Sequence, residues 1–160
     1  METKRTFRWK AFLLFVVGVQ ILGSLSGLFA GNIKAVYNAL SLPPLAPPDY
    51  LFGIVWPLLY LLIAISGYLI YQSIAFKGEK VTSYILFAVQ LALNFAWSIV
   101  FFAGNYYWAG VVIVVLLDLV VLSCVLQYYK INKAASLLLV PYLIWILFAT
   151  YLSIGVAILN

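Results

Sequence analysis

The chain has no histidine, a single cysteine and only four acidic residues in 160. Without histidine there is no imidazole base. Cys124 stands alone inside an apolar run, which excludes a disulfide framework and a Cys/His zinc site within one chain. The acids Glu2, Asp49, Glu79 and Asp118 are scattered, so no paired-carboxylate site is indicated. No phosphate loop or His/Cys nucleophile pair is present. Charged residues make up 8% of the chain, too few to cover a soluble domain of this size. What is present is apolar: 67% hydrophobic residues and a mean hydropathy of +1.15. This is the composition of an integral membrane protein.

Five apolar runs are long enough to span a bilayer, near residues 9–29, 49–73, 81–102, 106–129 and 134–158. They predict an all-α membrane protein, a five-transmembrane-helix bundle in one domain, 1–160. A barrel would need short alternating segments, and these runs are continuous. The first run contains Ser24-Leu25-Ser26, loosely like a cleavage site, but it exceeds a signal core in length and is read as retained. Lys4, Arg5, Arg8 and Lys10 precede the first span. Lys77 and Lys80 follow the second, and Lys130 and Lys133 follow the fourth. Only Lys34 falls on the other side. This eight-to-one split predicts a multi-pass protein of the cell (inner) membrane with a cytoplasmic N-terminus and an outer C-terminus. The net charge of +5 is therefore a topology signal, not a sign of a nucleic-acid partner.

The stretch around which the chain is organised is Pro47 to Tyr60, PPDYLFGIVWPLLY. Asp49 stands where its carboxylate can cap the following helix. At about 100° per residue, Asp49, Phe52, Gly53, Trp56 and Tyr60 share one face. A wide aromatic, a glycine gap and a phenol on one face read either as helix packing or as one wall of a pocket for a flat ligand. Residues 30–48 carry Pro43, Pro44, Pro47 and Pro48 and read as a stiff loop, either a lid over the bundle or a plain connector. Gly23, Gly27 and Gly31, with Gln20 and Ser24 nearby, read as a close helix contact.

On the third span Ala88, Ala92 and Ala96 form a small-residue stripe suited to a close contact within the bundle or a dimer interface. Gln90, Asn94, Trp97 and Phe101 lie roughly opposite and should face inward, because amides are costly against lipid. Asp118, the only acid deep in the membrane, should face the interior, where with Leu122 it could line the same cavity as Asn94. Proton relay, ligand contact and structural hydrogen bond are all open roles for it. On the fifth span Pro141, Tyr142, Trp145, Phe148, Ala149 and Leu152 share a broad face. Trp9 and Trp108 read as interfacial belt residues.

Taken together, these elements resemble the translocator protein family, also called TspO, tryptophan-rich sensory protein or peripheral benzodiazepine receptor. The matching residues are Pro47-Pro48, Trp56 and Tyr60, then Gln90-Leu91-Ala92-Leu93-Asn94 with Trp97, Phe101-Phe102, Asp118, and Pro141-Tyr142 with Trp145 and Phe148. The resemblance implies a homodimeric five-helix bundle that binds porphyrins and synthetic benzodiazepine-type ligands as a receptor or sensor. A transporter of porphyrin or other lipophilic molecules and a structural or regulatory membrane partner are the alternatives. By matching position it implies Tyr37, Trp56, Tyr60, Asn94, Trp97, Leu122, Trp145, Phe148 and Ala149 as pocket residues. Trp56 and Trp145 correspond to a pair proposed for light-dependent porphyrin degradation. No cofactor is required and no metal is expected; porphyrin would be ligand or substrate. Val36-Tyr37, Leu42-Pro43 and Ser153 depart from the residues common in the family. The end at Asn160, without a longer basic tail, favours a bacterial member.

Overall fold

The computed structural model describes residues 6–160. Glu2, Lys4 and Arg5 lie outside the described residues. Six α-helices account for nearly all of the described residues: α1 (Trp9–Phe29), α2 (Ile33–Ala39), α3 (Tyr50–Gln72), α4 (Lys77–Ser98), α5 (Tyr107–Ile131) and α6 (Lys133–Leu159). Five of them are long and apolar enough to cross a membrane, with α4 extended to Ala103 by a π-helical turn. The 21 residues of α1 rise about 31 Å at 1.5 Å each, the thickness of a hydrocarbon core.

The predicted spans are all present, with ends shifted by a few residues; the start of α4 shifts most, to Lys77. There the Glu79 carboxylate accepts from the Phe76 backbone N–H at 3.3 Å. Asn132 both ends α5 and caps α6, accepting from the Ala135 N–H at 3.1 Å. Asp49 holds the cap position of α3, but its side chain makes no capping hydrogen bond. It turns instead to α2, as described below.

The stiff loop of residues 30–48 contains a helix the prolines conceal. Gly31, at φ +80°, reverses the chain after α1. Asn32 then caps α2 by accepting from the Ala35 N–H at 3.1 Å. Only the second half of the loop is extended, as its four prolines dictate. That half is fastened to the end of α6: Ser41 and Asn160 exchange two hydrogen bonds of 3.0 Å, and the Tyr151 hydroxyl donates to the Pro44 carbonyl.

The long helices close into a ring in the order α1, α3, α6, α5, α4, with α4 returning to α1. The main core, with Ile63, Ala64, Leu117, Val121 and Tyr142 fully buried, fills the middle of the ring. At one end Arg8 donates to the Tyr71 hydroxyl at 3.0 Å, and Lys80 donates to the Tyr71 carbonyl at 2.8 Å. This end gathers the described basic residues except Lys34. α2 and the proline segment cover the other end.

Two interior stripes set the register of α4 and α5. On α4, Ser83, Gln90, Asn94 and Trp97 are buried, while Ala88 and Ala92 are exposed and Ala96 is half-buried. The alanine stripe therefore lies on the outer surface. On α5 the buried stripe is Val114, Leu117, Val121, Cys124 and Tyr128. Leu122 follows Val121 and points about 100° away from that stripe. It is 43% exposed on the outside of the bundle and cannot line an interior cavity.

Candidate functional site: an aromatic cavity under α2

A cavity of about 420 Å³ lies beneath α2, between α1, the first three turns of α3 and the end of α4. Every member of the predicted α3 face reaches it: Asp49, Phe52, Gly53, Trp56 and Tyr60. Pro57 lines it too, and has a second effect. Proline has no N–H, so the Gly53 carbonyl four residues earlier loses its ladder donor, at a residue that borders the cavity. The wall thus carries a backbone acceptor among aromatic rings.

The rings are arranged as a continuous surface. Trp56 stacks on Tyr60, with centroids 5.5 Å apart, and meets Trp97 at 6.3 Å. Trp97 stacks on Phe101 at 5.6 Å and meets Phe102 edge-on at 5.8 Å. The π-turn Ile99–Ala103 makes this possible, since the added residue per turn buries the consecutive Phe101 and Phe102 together. The indole N–H groups of Trp97 and Trp145 are buried without a hydrogen-bond partner.

A chain of buried polar groups forms the floor. The Tyr60 hydroxyl donates to Asn94 Oδ1 at 3.1 Å, and Asn94 Nδ2 donates to the Tyr142 hydroxyl at 3.0 Å. Tyr142 in turn donates to Gln90 Oε1 at 3.0 Å. The chain joins α3, α4 and α6 and stands between the cavity and the core.

The roof is α2. Tyr37 is buried, and its hydroxyl donates to the Pro47 carbonyl at 2.7 Å. Lys34 approaches Asp49 at 3.5 Å, and Asn38 Nδ2 donates to the same carboxylate oxygen at 2.9 Å. The Asn38 hydrogen bond, helped by the Lys34 charge, holds the Asp49 carboxyl below its ordinary range. Burial pushes the Tyr37 phenol up, with the Asp49 charge adding to it. Tyr37 therefore remains a neutral hydrogen-bond donor.

The sequence candidates divide into three groups. Tyr37, Trp56, Tyr60 and Trp97 line the cavity directly. Asn94 sits in the floor behind Tyr60, at hydrogen-bond distance from it. Trp145, Phe148 and Ala149 belong to the layer behind the wall: Trp145 meets the cavity-lining Phe52 at 6.0 Å and Phe148 at 5.8 Å. Ala149 borders a small separate void of about 20 Å³, across Tyr37, Phe52, Trp97 and Phe102 from the main cavity. Asp118 does not line the cavity. Its Oδ2 accepts from the Thr150 hydroxyl at 2.7 Å in the seam between α5 and α6.

Gln20, Ser24, Ser98 and Phe102 also line the cavity. For Ser98 a signal existed: it stands one turn after Asn94 on the inward face. For Gln20 and Ser24 the neighbouring glycines read as a packing stripe, and only Gly23 packs so, against the Tyr60 ring. Gly27 borders the cavity with open space at its Cα, and Gly31 ends the helix.

The sequence model of the TspO/MBR family matches residues 12–159. The chain is 38% identical over 150 residues to the tryptophan-rich protein TspO of Archaeoglobus fulgidus, covering 94% of this chain and 95% of that one. It is 31% identical over 150 residues to Protein CrtK of Rhodobacter capsulatus, covering 93% and 92%. It is 31% identical over 143 residues to the translocator protein of Bos taurus, covering 86% and 85%.

Proposed function

Since the chain belongs to the TspO/MBR family, we propose that it is a membrane receptor or sensor that binds porphyrins, and benzodiazepine-type ligands, in the cavity under α2. The observation that carries this reading is the wall of Trp56 and Trp97 around about 420 Å³ of space. A porphyrin is a flat apolar ring with N–H groups at its centre and acids at its edge. Indole faces suit the ring. Gly53 C=O offers an acceptor, and Lys34, 74% exposed at the rim, offers a cation to an acidic edge. No histidine is available to ligate a haem iron, so a free-base porphyrin should bind at least as well as haem.

Light adds a reaction to this binding. A photoexcited porphyrin against Trp56 accepts an electron from the indole, and dioxygen then removes that electron from the porphyrin as superoxide. Oxygen species formed beside the ring degrade it. Trp145, behind Phe52, passes an electron to the oxidised Trp56 and takes the hole onto its own indole, where an external thiol-class reductant refills it. The buried floor from Tyr60 to Gln90 favours binding over passage through the bundle, which sets this reading above a transporter. We assign the basic end, from Arg8 to Lys133, to the cytoplasm and α2 to the outer side, on the bias of basic residues alone. A homodimer is assigned to the outward Ala88/Ala92/Ala96 stripe.

The test uses the protein in nanodiscs. Saturable dark binding of protoporphyrin near one per chain, displaced by a benzodiazepine-type ligand, is expected. Light-dependent loss of the bound ring should cease in the double variant Trp56→Phe/Trp145→Phe. Loss at the wild-type rate in that variant removes the photochemical part. Accumulation of porphyrin inside sealed vesicles would favour transport instead.

A further inference from the structure

Resting on the porphyrin reading, we infer that the ligand enters the cavity sideways from the bilayer, through a window between α1 and α3, and not from water beneath α2.

The window has a sill, a lintel and two jambs. The sill is the hydrogen bond from Gln20 Nε2 to the Pro57 carbonyl, 2.8 Å long, which ties α1 to α3. The lintel is the Lys34–Asp49–Asn38 cluster. From Pro57 up to Asp49 is eight residues, about 12 Å at the helical rise, and from Gln20 to Gly27 about 10 Å. Between these limits the facing residues are small: Ser24 and Gly27 on α1, Gly53 on α3. A Cβ placed on Gly27 or on Gly53 would meet no atom within 4 Å. Ser24, Gly53 and Pro57 are at once cavity-lining and exposed.

The gap follows from how α1 leans. At Gly23 it touches the Tyr60 ring of α3. Above that level it bends its contacts toward α4, where Phe29 meets Phe95 at 6.1 Å. The neighbouring surface of α1 and α3 is apolar, with Ile21, Leu28, Ile54 and Leu58 all more than half exposed. Gly53 to Pro57 lies within the span Tyr50–Gln72, below the charged Lys34–Asp49 pair and beside apolar surface, which sets the window at the upper edge of the hydrocarbon.

The roof is closed by comparison. Raising it breaks the Tyr37–Pro47 bond and the Lys34–Asp49–Asn38 cluster, and strains the Ser41–Asn160 pair that anchors the proline segment. Passing through the window breaks none of these. A flat ligand slides edge-on between two glycine-lined helices with its apolar ring in lipid, while its acidic edge stays at the level of Lys34.

Stopped-flow binding of protoporphyrin to nanodisc-embedded protein separates the two routes. Leu28→Trp together with Ile54→Trp adds bulk at the outer rim of the window, at two exposed residues that do not line the cavity. It should slow association roughly tenfold, with dissociation slowed alongside it, as expected when a passage narrows and not the site. A Ser41→Cys/Asn160→Cys disulfide in a Cys124→Ala background locks the roof and should leave association at the wild-type rate. Slowing by the roof lock, or no slowing by the rim tryptophans, overturns the inference. A second measurement needs no ligand. A nitroxide on Gly53→Cys, again in Cys124→Ala, should be relaxed more by lipid-dissolved oxygen than by an aqueous nickel chelate. The opposite order overturns the window even if protoporphyrin fails to bind. Failure of wild-type binding with the expected nitroxide result overturns the porphyrin reading alone.

Discussion

Replacing Tyr142 by phenylalanine removes one oxygen atom from the centre of the protein, and the structure says what that should cost. The hydroxyl accepts from Asn94 Nδ2 and donates to Gln90 Oε1, both at 3.0 Å, and the residue is fully buried. Its loss strands two buried polar groups. Gln90 suffers more, because its Nε2 already lacks a partner and the whole amide, 2% exposed, would then be unpaired. Each stranded group costs about 1–3 kcal/mol in a protein interior. Hydrogen bonds in membrane proteins average only about 0.6 kcal/mol, because the unfolded state in lipid also finds partners. Weighing the two, Tyr142→Phe should destabilise the bundle by roughly 2 kcal/mol. The double variant Tyr142→Phe/Gln90→Met removes donor and acceptor together and should recover about half of that loss, since an apolar pair of similar shape strands fewer polar atoms. Reversible unfolding of the four members of the cycle in detergent–lipid micelles reads both numbers. A Tyr142→Phe protein as stable as wild type, or strictly additive losses in the double variant, would refute the view that these groups form one chain.

Three further outcomes follow from single contacts. Gly23→Ala places a methyl group against the Tyr60 ring, so it should lower stability by about 1–3 kcal/mol and displace the phenol from Asn94, read as a weaker protoporphyrin affinity; a neutral substitution would mean that α1 simply moves away. The Asp49 carboxyl is held below its ordinary value of 3.8, so its tie to Asn38 and Lys34 is complete above that pH and is lost as the pH falls through the lower native value; proteolysis between α2 and α3 should accelerate only in that acid range, and in Asp49→Asn should not change with pH there. Ala92 is exposed on the outer face of α4, so Ala92→Phe should shift the purified protein toward monomer, and a persistent dimer would move the interface to another helix.

The five spans were legible because each is long, apolar and uncharged enough to leave one choice. The α3 wall from Asp49 to Tyr60 was legible for a related reason, since a regular helix fixes which residues share a direction. Direction alone does not give depth. Trp145 and Ala149 point inward on α6 as the wheel says, yet Phe52 and Tyr37 stand between them and the main cavity. The contribution of α1 was hidden because a glycine at helical spacing serves equally as a contact or as a gap. Gly23 is the one and Gly27 the other, a difference set by the lean of α1 on α4. The π-turn after Ser98 leaves no mark in the apolar run IVFFA, and without it a regular helix would not bury the consecutive Phe101 and Phe102 together. Leu122 reads as cavity-lining both from its helical spacing to Asp118 and by resemblance, and one residue of register along α5 separates it from the buried Val121.

The most direct test of the central claim is a dark protoporphyrin titration of the purified protein, followed by fluorescence, on wild type, Trp56→Ala and Trp145→Ala. Trp56 forms the cavity wall and Trp145 stands behind it. Losing an aromatic face in direct contact costs at least about 1.4 kcal/mol, a tenfold change in Kd. The account predicts saturation near one porphyrin per chain, a Kd raised about tenfold or more in Trp56→Ala, and a smaller rise in Trp145→Ala. Quenching that never saturates, or a larger loss in Trp145→Ala than in Trp56→Ala, would contradict it.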